Sequence, residues 1–168
     1  YNRELTENPK AKDCIDLDKI PFPARDLLPE EDYIMNNRLA DTSLKMVHVM
    51  FSRGCSYKCA YCGAPRDGNK IVRYRSPQNI VDELENLKNK GIEGFSIIDD
   101  CFLTDKKKAL SIIKEVKKVN LKWSLAARID QINKEILEAL REAGCLEIKF
   151  GIETGSDTIL EKMNKGFN

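Results

Sequence analysis

Between residues 44 and 168 the hydrophobic positions follow two alternating rhythms. A short, nearly unbroken apolar run gives way to a glycine or polar turn, then to apolar residues spaced three and four apart, and the cycle repeats. The first run, residues 46–51, predicts a strand. Ser76 as N-cap and Pro77 at the first helical position announce a helix whose inward stripe is Ile80, Val81, Leu84 and Leu87, closed by Gly91. A second strand is expected over residues 94–99, where Phe95-Ser96-Ile97-Ile98 has the continuous apolar character of a buried parallel strand. The following helix begins after Thr104 or Asp105 with Leu110, Ile113 and Val116 inward. Lys106, Lys107, Lys108, Lys114, Lys117 and Lys118 crowd its other side, which reads as a solvated face. Residues 122–128 predict a third strand, and Asn133 caps a helix with Ile136, Leu137, Leu140 and Ala143 that stops at Gly144. Residues 146–151 predict a fourth strand, and Ser156 or Asp157 opens a last helix with Ile159, Leu160 and Met163 inside.

Strands that alternate with helices imply a parallel sheet with right-handed crossovers, since only that hand packs each helix back onto the twisted strands. The expected fold is α/β, a partial parallel βα barrel of about four βα units. In such sheets ligands bind where the carboxyl ends of the strands meet the βα loops. The polar residues of interest fall at that end: a cysteine loop after the first strand, Asp99 and Asp100 after the second, Arg128 and Asp130 after the third, and Glu153 after the fourth.

Residues 1–43 have another texture. Pro21, Phe22, Pro23 and Pro29 mark extended connector chemistry without helical or strand periodicity, so the division expected is a connector over 1–43 and a core over 44–168. A strap packed on the barrel is the other reading of this stretch. The balance of 28 basic against 27 acidic residues gives no global field to attract nucleic acid. The longest apolar run is only six residues and contains His48, far short of a membrane span, so a cytoplasmic protein is expected. Six cysteines without secretory features fit a reducing compartment where thiols bind metals. Cys14, Cys101 and Cys145 are expected to be small buried hydrophobes.

The run Cys55-Ser56-Tyr57-Lys58-Cys59-Ala60-Tyr61-Cys62 carries the chemistry. Three thiols on one short loop can hold three irons of a cuboidal cluster and leave the fourth iron open to a small molecule. A structural zinc site wants a fourth ligand nearby, and the only histidine, His48, lies in a predicted strand. A disulfide strands one thiol, and an electron-transfer ferredoxin needs a fourth cysteine. Gly54 allows a sharp turn at the strand end, Gly63 lets the chain approach a bulky ligand, and Tyr61 sets an aromatic ring beside the site.

Arg53-Gly54-Cys55-x3-Cys59-x-Tyr61-Cys62 resembles the signature of the radical S-adenosylmethionine superfamily, in the branch often preceded by a cobalamin-binding domain. The resemblance implies that Cys55, Cys59 and Cys62 hold a 4Fe-4S cluster. S-adenosylmethionine would chelate the open iron and be cleaved reductively to a 5′-deoxyadenosyl radical that abstracts hydrogen from a substrate C–H bond. It implies that Glu153, in Gly151-Ile152-Glu153-Thr154-Gly155-Ser156, accepts the ribose hydroxyls, and that Arg128 pairs its fork with the methionine carboxylate. Of Asp99 and Asp100, one is expected to orient the methionine ammonium and the other to cap the next helix. The family barrel has about six units, so this chain is expected to carry the first four and the later part of the core to be missing. The fourth strand would then be an open edge, a candidate for self-association. Cobalamin is implied only for a longer parent protein. The partners expected are an unidentified small-molecule substrate and a low-potential electron donor, and the alternative reading is a noncatalytic iron-sulfur or zinc-binding fragment.

Overall fold

A computed structural model describes residues 15–29, 35–39, 42–63 and 71–168. Among the described residues the main sheet has five strands: β1 (Met35–Leu39), β2 (Thr42–Val49), β5 (Gly94–Ile97), β6 (Lys122–Ala127) and β7 (Cys145–Phe150), in that spatial order. Strands β2, β5, β6 and β7 run parallel, and β1 lies antiparallel on the outer side of β2. Two short strands, β3 (Ser52–Arg53) and β4 (Arg73–Tyr74), pair antiparallel outside this sheet. Four helices follow the parallel strands: α1 (Pro77–Asn89), α2 (Lys106–Val119), α3 (Lys134–Glu142) and α4 (Asp157–Lys162). The architecture is the α/β, incomplete barrel expected, with β7 at one end of the sheet order.

Helix starts are set by side chains that replace missing intrahelical partners. Ser76 accepts from the Asn79 N–H, Asp105 from Lys108 and Asn133 from Ile136, while Ser156 precedes α4 without a side-chain cap. The chain turns from α1 and α3 toward the next strand at Gly91 (φ 81°) and Gly144 (φ 90°).

The core lies between the sheet and the helices. Val47, Val49, Phe51, Phe95, Ile97, Trp123 and Leu125 point toward Ile80, Leu84, Ile112, Ile113, Val116, Ile136 and Leu140. Phe95 stacks on Trp123 with ring centroids 5.7 Å apart, and Phe51 lies 5.6 Å from both Phe95 and Phe102. The indole N–H of Trp123 donates to Ala143 O at 2.8 Å, which satisfies the one polar atom of this aromatic layer.

Several expectations are corrected here. Strand β2 ends at Val49, and Met35–Leu39, expected as connector, is a strand. Ile98 is 57% exposed because strand alternation turns it away from the helices that Phe95 and Ile97 face. The same alternation leaves His48 exposed between Val47 and Val49. Leu137 and Ile159 are exposed on helices beside β7, where the sheet order ends. Cys101 is buried, Cys145 only partly so, and Cys14 lies outside the described residues.

Residues 15–29 lie against the core. Leu17 is buried, Asp18 accepts the Ser76 N–H at 2.8 Å, and Phe22 sits 5.3 Å from the Arg75 guanidinium. Arg25 donates to Glu83 at 2.8 Å and to His48 O at 2.9 Å. Glu83 is buried on α1 and also accepts from Arg75. This pair of arginines around one buried carboxylate joins residues 15–29, the end of β2 and α1.

Removing that carboxylate leaves Arg75 buried without its counter-charge. Glu83→Ala is expected to lower unfolding free energy by about 3 kcal/mol and to speed amide exchange over residues 15–29. Unchanged stability and exchange would show that the strap is held by other contacts.

Candidate active site

The cysteine loop leaves the sheet where β2 and β5 diverge, and side chains from the β5 end take over its backbone hydrogen bonds. The Phe51 N–H and the Ser52 hydroxyl both donate to the Asp99 carboxylate, at 2.8 and 2.5 Å. The Gly54 N–H donates to Asp100 at 3.1 Å. Gly54 has φ 105°, and a Cβ there would lie 2.7 Å from the Ile71 carbonyl, so the turn admits only glycine. On the far side of the loop, the Ala60 N–H donates to Met163 O at 2.8 Å and the Asn164 amide to Lys58 O at 2.9 Å. The loop is thus held at both ends by residues distant in the chain.

This geometry revises the expected roles of the two aspartates. Neither caps a helix: Asp105 caps α2, and the 3-10 turn Phe102–Thr104 has no side-chain cap. Both instead fix loop backbone. Burial raises the Asp99 carboxyl to about 6, against the Ser52 and Phe51 hydrogen bonds that favour its charged form.

Cys55, Cys59 and Cys62 are free, half-buried thiols, and a Cys62 N–H to Cys59 O bond of 3.2 Å closes the turn between the last two. Burial pushes the Cys55 thiol up, as do Cys101 and Cys62 nearby, while a backbone hydrogen bond from Tyr57 pulls the other way. A tetrahedral zinc draws its sulfurs together at about 2.3 Å from the metal, whereas a cubane takes one thiolate on each iron. Three free thiols on one loop match the donor set of a 4Fe-4S group, which takes one thiolate on each of three irons. Beside the loop, a Cβ on Gly63 would meet no atom of the described residues within 4 Å.

Across the site, Glu153 sits on a tight turn with φ 68°, where the Thr154 N–H reaches Ile152 O at 2.9 Å. Left-handed backbone costs a non-glycine residue about 1 kcal/mol and marks a side chain held in place by its surroundings. Glu153 Oε1 accepts from the Tyr61 hydroxyl at 2.8 Å and from Lys165 Nζ at 2.9 Å, and Lys165 also donates to the Tyr61 oxygen at 2.7 Å. Lys165 and then Tyr61 hold the Glu153 carboxyl below its usual range. Burial pulls Lys165 down, but its bonds to Tyr61 and Glu153 outweigh this and raise it.

Arg128 is also reassigned. Its Nε and Nη2 fork is taken by Asp130 at 3.0 and 2.9 Å, so it is not free to clasp a cosubstrate carboxylate. Nη2 further donates to Lys165 O, Nη1 reaches Cys59 Sγ at 3.5 Å, and the guanidinium lies 3.7 Å from the Tyr57 ring centroid. Gln131 completes the network, donating to the Tyr57 hydroxyl at 3.2 Å and accepting from the Cys101 thiol at 3.3 Å.

Lys165, Tyr57 and Gln131 escape a reading by motif. Lys165 stands two residues beyond the last predicted inward residue, Met163, and reaches the site only because α4 is six residues long and the chain returns at Asn164 (φ 52°). Tyr57, inside the cysteine loop, was the one readable signal.

Residues 49–168 match the family model described as "Radical SAM superfamily". An uncharacterised methyltransferase of Pyrococcus horikoshii is 31% identical over 98% of this chain and 35% of its own length. The hopanoid C-2 methylase of Rhodopseudomonas palustris is 30% identical over 94% of this chain and 29% of its own. The chain thus spans about a third of the length of these relatives. Among solved structures, the radical S-adenosylmethionine methyltransferase TsrM of Kitasatospora setae, determined with cobalamin and a [4Fe-4S] cluster bound, superposes with TM-score 0.64 at 20% identity over 70% of this chain and 24% of its own.

Asp99 gives the site a pH signature. Its carboxyl titrates near 3.8 when free and near 6 when folded, so its stabilising contribution is full below about pH 4 and is lost as pH rises through about 6. Asp99→Asn keeps an acceptor for the Phe51 N–H and removes the titration. Urea unfolding across that window is expected to show the wild type losing on the order of 3 kcal/mol relative to the variant. Parallel pH profiles for the two proteins would contradict this.

Proposed function

The chain belongs to the radical S-adenosylmethionine superfamily, and within it we propose that this is the cluster- and cosubstrate-binding core of a methyltransferase-type enzyme. One observation carries the reading: the three thiols and the Tyr61–Glu153–Lys165 cluster meet at the carboxyl ends of the parallel strands, tied together by Tyr61 at 2.8 Å from Glu153. Cys55, Cys59 and Cys62 would each hold one iron. A cluster held there would supply the family's chemistry, one-electron reductive cleavage of S-adenosylmethionine to a 5′-deoxyadenosyl radical.

The chain's own residues position and exclude. Asp99 and Asp100 fix the loop backbone. Lys165 keeps Glu153 anionic, hence an acceptor only, suited to a pair of ribose hydroxyl donors. Both known contacts of that carboxylate fall on Oε1. The relatives' names favour methyl transfer among the reaction classes that the motif leaves open. Cobalamin is proposed for a longer parent protein, by likeness to a structure determined with it bound. A low-potential donor and an unidentified substrate complete the reaction.

Anaerobic reconstitution is expected to give about four irons and four sulfides per chain. Each of Cys55→Ala, Cys59→Ala and Cys62→Ala should abolish that content. Glu153→Gln should keep the cluster and weaken S-adenosylmethionine binding at least about tenfold, a loss of about 1.4 kcal/mol. Dithionite with S-adenosylmethionine should release 5′-deoxyadenosine. A full cluster without that product would favour the noncatalytic fragment, and stoichiometric zinc without iron would overturn the proposal.

A further inference from the structure

We propose that Arg128 sets the reduction potential of the cluster through a hydrogen bond from its Nη1 to the sulfur of Cys59, a role that rests on the cysteine assignment above. Arg128 is buried to 8% exposure at the end of β6, beside a ligand sulfur from the loop after β2. Its other donors are committed. Nε and one Nη2 donor grip Asp130, and Nη2 also reaches Lys165 O, so the guanidinium plane is fixed in two in-plane directions. Tyr57 covers one approach to that plane at 3.7 Å, and Phe167 lies 5.2 Å away. What remains is Nη1, aimed at Cys59 Sγ from 3.5 Å.

A fixed donor on a cation acts on the two oxidation states unequally. Reduction adds an electron to a cluster already made anionic by its thiolates, and that density extends onto the ligand sulfurs. A hydrogen bond and a positive charge at the sulfur therefore stabilise the reduced form more than the oxidised one and raise the potential. The burial of Arg128 limits the water that can screen its charge, although the sulfur side of the contact is only half-buried. Asp130 does not cancel it: the carboxylate is partly exposed and binds the side of the guanidinium formed by Nε and Nη2, while Nη1 faces the sulfur. Arg128 is thus a positioning and tuning residue. It touches a ligand atom of the cluster, and its fork is unavailable to substrate.

The test is EPR-monitored dithionite titration of the reconstituted wild type, Arg128→Lys and Arg128→Gln, with iron and sulfide measured on each. The glutamine variant is expected to shift the midpoint to more negative potential at unchanged cluster content. The lysine variant, which keeps the charge but loses the fork, should fall between the two. A merely structural arginine would lower cluster content or stability and leave the midpoint of the remaining cluster unmoved. Because the variants can lose their fold, a second measurement uses the wild type grown with 15N-arginine. Pulsed EPR of its reduced cluster is expected to show a 15N coupling from one guanidinium. A cluster-loaded wild type with no such coupling, or a glutamine variant with an unshifted midpoint, overturns the role of Arg128 while leaving the cysteine assignment intact. A wild type that assembles no 4Fe-4S cluster removes both.

Discussion

The Asp99 carboxylate, shared between the Phe51 N–H and the Ser52 hydroxyl, is the interaction on which the site depends. A parallel sheet supplies hydrogen-bond partners only as far as its strands remain neighbours, and β2 stops at Val49 while the thiols begin at Cys55. Between those points the backbone needs partners from elsewhere. Asp99 and Asp100, carried on the next strand's end, provide them and so transmit the register of the sheet to the loop. The cost is a buried carboxyl whose charged form burial disfavours, offset by the order it gives to a loop whose own ladder is only the short β3–β4 pair.

The rest of the site follows the same economy. Two cations at the carboxyl end of the sheet are matched: Lys165 with Glu153, Arg128 with Asp130. Each match also joins segments far apart in the chain. Lys165 links the return after α4 to Tyr61 in the cysteine loop, and Arg128 links the end of β6 to Cys59 and to the Lys165 carbonyl. A charge that binds two segments and faces a ligand position is held before the ligand arrives, so little reorganisation is required when it does.

Local physics was readable where a residue acts on its own neighbourhood. Ser76, Asp105 and Asn133 start helices because a side-chain oxygen caps nearby N–H groups, and such signals sit three residues apart in sequence. The cysteine spacing and Gly54 are legible for the same reason. What escaped acts over long separations. Nothing near Arg128 states that Asp130 will take its fork rather than leave it to a ligand, because the two readings use the same residues. Lys165 depends on the length of α4 and the turn after it. The strand Met35–Leu39 carries little apolar alternation, being Met-Asn-Asn-Arg-Leu, and forms because β2 offers an edge to pair with.

The chain belongs to the radical S-adenosylmethionine superfamily, and the function proposed for it rests on a single chemical idea, an iron without a protein ligand beside a carboxylate held anionic by Lys165. The most direct examination of that idea is electron-nuclear double resonance on the reduced cluster with S-adenosylmethionine labelled with 15N at its amine and 17O at its carboxylate. The account predicts couplings from both labels, as direct ligation of one iron requires. Loss of both couplings, with the cluster intact and the cosubstrate bound, would contradict it.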